Sequence, residues 1–104
     1  AAAVASHLVK VDPETAGWWI SLAHALRRTE SVEKAEAILL RAQTIHPEVA
    51  MIAFNLACYA SITGRIEEAK ERLRHAIELD KEARKLALED EDLKPLWDWI
   101  GGLK

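Results

Sequence analysis

The 104-residue chain contains a single cysteine, Cys58, so no disulfide can close within it. A lone thiol fits a reducing, cytoplasmic compartment. Proline and glycine are scarce, at three and four residues, and no Gly/Ser-rich stretch offers a linker, so a second domain is not expected. No apolar run approaches the ~20 residues that span a bilayer. Basic charge is not concentrated: 14 Lys and Arg are interspersed with 17 Asp and Glu, for a net charge of −3. A nucleic-acid-binding face gathers its Lys and Arg, so that class is disfavoured. The one notable basic pair, Arg27-Arg28, reads most simply as a solvated helix end. The opening residues AAAVASHLVK show neither a charged leader nor a long apolar segment, so no signal peptide is expected. They also lack an initiator Met, which suits a trimmed chain or a piece of a longer one.

Constellations for chemistry are absent too. The four histidines, His7, His24, His46 and His75, never fall three or four residues from one another. Cys58 has no ligand near it in sequence, whereas zinc sites usually show such spacing. Cys58 and His24 could form a nucleophile and base if stacked helices turned them to one side. The plainer reading is a half-buried cysteine and a polar histidine. There is no Gly-rich phosphate loop and no G-x-S-x-G. Neither catalysis nor a metal or cofactor is expected.

What the sequence does hold is helical periodicity. Trp19, Leu22, Ala23 and Leu26 recur at i, i+3, i+4 and i+7. Three more stripes follow: Ala35, Ile38, Leu39, Ala42 and Ile45; Ala53, Leu56, Ala57 and Ala60; then Ile66, Ala69, Leu73, Ala76 and Ile77. No stretch alternates with a period of two, so the fold class is all-α. The rare punctuating residues mark the boundaries. Asp12-Pro13-Glu14 suits a helix start, and Ser31 is a plausible N-cap after Thr29-Glu30. His46-Pro47-Glu48 separates two helix pairs, and Gly64 supplies a left-handed helix end. Such short turns make neighbouring helices antiparallel.

Residues 16–49 and 50–83 align without a gap, and nine of 34 positions are identical: Ala16/Ala50, Leu22/Leu56, Ala23/Ala57, Thr29/Thr63, Glu33/Glu67, Ala35/Ala69, Leu39/Leu73, Ala42/Ala76 and Glu48/Glu82. Chance would give about two or three. Six of the nine are small or branched apolar residues on the stripes, and a fixed period of this length marks stacked supersecondary units.

This register resembles the tetratricopeptide repeat family. Residues 16–49 supply Trp19, Leu22, Ala23, Ala35, Leu39, Ala42 and Pro47. Residues 50–83 supply Leu56, Ala57, Gly64, Ala69, Leu73 and Ala76. Ala53 and Lys81 depart from the family's early aromatic and final proline. The first departure predicts repacking around Phe54 or Tyr59. The second predicts a helix continuing from about Ile66 past Lys81.

The resemblance implies an α-solenoid of antiparallel helix pairs forming one domain. It would comprise a half repeat (1–13), repeat one (16–49), repeat two (50–83) and a capping segment (84–104) in which Leu93, Leu96, Trp97 and Ile100 form one helix opened by Pro95. Trp97 is expected to pack, whereas Trp99, off that stripe, is an equal candidate for docking. Val4, Leu8 and Val11 are expected to pack on repeat one, leaving the far side of their helix bare.

Functionally, the resemblance implies a scaffold that takes a peptide or partner protein in a concave groove. By position the groove residues would be Ile20, His24, Arg27 and Arg28 from repeat one, and Met51, Phe54, Asn55, Cys58 and Ser61 from repeat two. The arginine pair favours an acidic segment. The carboxylate clamp of the heat-shock-chaperone subclass is disfavoured, because Ile20 and His24 occupy two of its places and only Asn55 matches. Self-association through the bare terminal helix is the alternative. RNA reading by the related 35-residue repeats is opposed by the period of 34 and the acidic balance.

Overall fold

The computed structural model describes residues 2–103, the side chain of residue 2 apart. All regular structure among them is helical, and the chain divides into two compact units, Ala1–Val49 and Ala50–Lys104.

The first unit contains α1 (Ala2–Val11), α2 (Ala16–Thr29) and α3 (Val32–Ile45), with α2 packed against both of the others. Its core draws on the periodic positions: Trp19, Leu22 and Ala23 from α2, and Ala35, Leu39 and Ala42 from α3. Ala23 and Ala35 are 0% exposed, so methyl-sized side chains sit where the pair is tightest. The face that α1 buries differs from expectation. Ala5 and Val9 are buried and Leu8 half-buried, whereas Val4 and Val11 are each 62% exposed. The helix is rotated so that Ala5 and Val9 face inward.

The turn into α2 is also built differently from a simple capped start. Asp12 does not cap the helix, which begins at Ala16 after Thr15. Its Oδ2 accepts hydrogen bonds from Thr15 Oγ1 (2.7 Å) and Trp18 Nε1 (3.2 Å). The Pro13 carbonyl accepts one from Trp19 Nε1 at 2.8 Å and lies 2.9 Å from Nε2 of the buried His46. A proton on that nitrogen gives the carbonyl a second donor. One turn thereby anchors the start of α2 and the end of α3.

Ser31 does cap α3: its Oγ accepts from the Lys34 backbone N–H at 3.1 Å. Ser31→Ala is expected to cost about 1 kcal/mol. The loss should appear as a lower urea midpoint and be largely restored in Ser31→Asp. Identical midpoints for all three proteins would show that the cap contributes nothing.

The second unit contains α4 (Ala50–Ile62), α5 (Ile66–Leu79), α6 (Glu82–Leu88), a 3-10 helix (Glu91–Leu96) and α7 (Trp97–Gly101). Helix α4 carries no charged residue, and Ile52 through Ser61 are all buried. Within the unit it is packed by α5, α6 and the 3-10 helix. Tyr59 is 0% exposed, so repacking beside Ala53 does place an aromatic in the core. Gly64, at φ +83, takes the left-handed turn between α4 and α5. Helix α5 buries Ala69, Leu73 and Ala76, while its outer side carries the ion pairs Lys70–Glu67, Arg65–Glu68, Arg72–Glu68 and Arg74–Glu71. Such surface pairs contribute at most about 1 kcal/mol each.

Two expectations fail here. Helix α5 does not continue past Lys81. It ends at Leu79, and Asp80 turns extended (φ −152, ψ 114), with its Oδ1 accepting from Glu82 N at 3.0 Å. The aspartate side chain competes for backbone donors and so performs the break that a proline performs elsewhere. Nor is the C-terminal segment one capping helix. It is α6, the 3-10 helix and α7 in succession, with Pro95 inside the 3-10 helix rather than at its start. Asp90 begins that helix by accepting from Asp92 N at 2.9 Å. Leu93, Leu96 and Ile100 are all 0% exposed. Trp97 donates its indole N–H to the Ala87 carbonyl at 2.9 Å. Trp99 is half-buried beneath the cations of Lys70 and Arg74, 5.7 and 5.4 Å from its ring centre. Both tryptophans therefore pack within the unit.

Candidate partner-binding surfaces

In the first unit, α1 and α2 diverge enough to leave an open groove of about 330 Å³, lined by Val4, Ala5, Leu8, Trp18, Ser21, His24, Ala25 and Arg28. The valine, leucine and tryptophan give it an apolar wall. His24 and Arg28, one turn apart on α2, form its polar edge, and no carboxylate lines it. Ile20 and Arg27 lie outside this lining and are half-buried.

In the second unit, two depressions share Met51, Phe54 and Leu86. The smaller, about 180 Å³, adds Ala50, Asp80 and Ala83; the larger, about 570 Å³, adds Asn55, Glu89, Asp90 and Glu91. Together they make a trough between α4 and the segment that follows α5. Met51 and Leu86 stand 42% and 45% exposed over the more buried Phe54. Asn55 is only 8% exposed, and its Nδ2 has no acceptor.

Cys58 and Ser61 are not on a surface. They are 2% and 5% exposed, inside α4's all-round packing, because the C-terminal segment covers the face that an isolated repeat would leave open. The thiol instead meets Asp90, with Sγ 3.8 Å from Oδ2. Ligand atoms of Cys58, Asp90 and Asp92 lie within 4.8 Å of one another, a juxtaposition across 32 residues that sequence spacing could not reveal. Asp90 is already engaged, with Oδ1 on the Asp92 amide and Oδ2 on the thiol. The cluster thus reads as the start of the 3-10 helix.

Five candidate residues fall in two groups: His24 and Arg28 in the first unit, and Met51, Phe54 and Asn55 in the second. The walls opposite them come from segments outside the two repeats. Val4 and Leu8 belong to α1, and Leu86, Glu89, Asp90 and Glu91 to the C-terminal segment. The acidic run Glu89-Asp90-Glu91-Asp92 was the one readable signal for the latter.

An all-α chain with helix pairs in a 34-residue register and small residues at their crossings defines a helical-repeat protein. Residues 52–82, spanning nearly all of α4 and the whole of α5, match the family model described as Tetratricopeptide repeat, which supports a tetratricopeptide repeat over that stretch. No curated protein and no solved structure matches the chain. Tetratricopeptide repeats generally mediate protein–protein interaction and form a non-catalytic family. Among the described residues, no helix is long and apolar enough to cross a membrane.

Proposed function

We propose that the chain is a protein-interaction module that holds a segment of a partner protein along the first helix of its helix pairs, in a reducing, cytoplasmic setting. The observation that carries this reading is the groove between α1 and α2. It joins an apolar wall to a polar edge, the His24 imidazole and the Arg28 guanidinium, without a compensating carboxylate in its lining. A peptide bearing an apolar side chain beside aspartate or glutamate fits that combination. A guanidinium takes a carboxylate in bidentate fashion, which gives orientation as well as attraction. The alternative is self-association through α1, supported by Val4 and Val11 at 62% exposure each.

The test is selection of peptides from a random 12-residue display library on immobilised wild-type chain, with binding then measured by calorimetry. Acid-rich peptides should dominate one class. In Arg28→Glu their affinity should fall at least about tenfold, equivalent to about 1.4 kcal/mol. Selected peptides that bind Arg28→Glu as tightly as wild type would remove the groove from the reading. A dimer in light scattering that Val4→Asp turns into a monomer would favour self-association.

A further inference from the structure

The trough in the second unit has the opposite electrostatic character, and it lies outside the argument for an acidic partner. Its described lining contains Asp80, Glu89, Asp90 and Glu91 and no lysine or arginine. The floor between these carboxylates is apolar: Met51, Phe54, Ala83 and Leu86. Asp80 and Asp90 are partly committed to starting α6 and the 3-10 helix. Glu89 and Glu91 are exposed, and neither takes part in an ion pair among the described residues. Of the basic residues around it, Arg84 donates to the Ile100 carbonyl at 3.4 Å and Lys94 lies over the Trp97 ring, while Lys81 and Lys85 line a separate depression with Glu82 and Leu88.

Asn55 adds an independent pointer. It lines the larger depression, is more than nine-tenths buried, and leaves Nδ2 without an acceptor. A buried amide N–H left unsatisfied costs free energy that an arriving acceptor recovers. A peptide carbonyl is such an acceptor, and a turn of the terminal amide would direct the N–H into the depression. Lysine or arginine side chains answer Glu89 and Glu91, and a leucine-sized side chain answers Phe54 and Leu86. One ligand supplies all three features.

We infer that this trough binds an extended peptide segment in which an apolar side chain is flanked by lysine or arginine, its backbone carbonyl meeting Asn55. The inference rests on the protein-interaction reading but names a second site with a partner of opposite charge. The rim carboxylates steer a cationic segment toward the apolar floor, so association should weaken as salt rises. The unit thereby distinguishes its ligand from an acid-rich one that the first groove accepts.

The probes are two synthetic octapeptides, one with leucine flanked by lysines and one with glutamates in place of the lysines. Each is titrated into the 15N-labelled full chain at low and moderate salt. The lysine peptide should shift amide resonances of Met51, Phe54, Asn55 and Leu86, and its affinity should fall with salt. In the Glu89→Lys, Glu91→Lys double variant, both substitutions on exposed positions, its affinity should drop at least tenfold while the glutamate peptide gains. In Asn55→Leu, with the amide spectrum confirming the fold, lysine-peptide affinity should drop severalfold. Lysine-peptide binding that is unchanged by the charge reversal, or absent, overturns the inference. If the glutamate peptide still shifts α2 resonances in that case, the protein-interaction reading survives alone. Silence of both peptides in both units counts against the two together.

Discussion

Ala57→Leu is expected to lower the melting midpoint of the second unit by about 5–15 °C. Ala57 is 0% exposed in α4, which packs along α5, where Ala69 is likewise 0% exposed. Both positions hold alanine because the two helices meet there. Leucine would add three carbon atoms at a contact with no room for them, forcing off-rotamer side chains or a shift of the helices. Overpacking of this kind costs about 1–3 kcal/mol. The control is Ala37→Leu on the exposed side of α3, which should change stability by no more than about 0.5 kcal/mol. Thermal unfolding followed by circular dichroism checks both. A midpoint in Ala57→Leu equal to that of wild type would reject the tight crossing.

Leu93→Ala should be strongly destabilising, costing about 2–5 kcal/mol. Leu93 lies outside both repeats, yet it is 0% exposed, and the 3-10 helix that carries it packs on α4. Truncation removes the transfer free energy of the lost methyl groups and leaves a cavity that α4 cannot collapse to fill. Leu88 is the comparison: it is 41% exposed, and its replacement by alanine should stay within about 0.5 kcal/mol. Guanidinium titration of the two variants distinguishes an integral core segment from a dispensable tail. Equal, small effects would mean that the tail does not complete the core.

Helix identity was legible because it depends on local information. Stripes at i, i+3, i+4 and i+7, the Ser31 cap and the left-handed Gly64 are each decided within a few residues. The repeat was legible because packing constraints recur: Ala23/Ala57 and Ala35/Ala69 are small wherever a pair of helices closes, and all four are 0% exposed. The break at Asp80 was hidden because aspartate ends a helix only when its side chain captures a backbone donor, here Glu82 N. A proline would have announced the same break by its covalent geometry.

The open depressions were legible only in part. Position within the repeat put forward His24, Arg28, Met51, Phe54 and Asn55, which line them, but it could not say what stands opposite these residues. Helix α1 rotates to bury Ala5 and Val9 instead of Val4 and Val11, and so brings Val4 into a groove beside His24. The C-terminal segment folds over α4, which removes Cys58 and Ser61 from the surface and brings Glu89 and Glu91 to the rim around Phe54.

The sequence by itself determined the all-α class, the 34-residue register and the tetratricopeptide resemblance, because periodicity and small-residue positions are properties of neighbouring residues and of a repeating unit. Only the tertiary structure decided which faces remain open and what charge each carries. A face is open or closed according to segments distant in sequence, α1 for one unit and residues 82–101 for the other. The free energy that docks those segments comes from side-chain packing that no local pattern encodes.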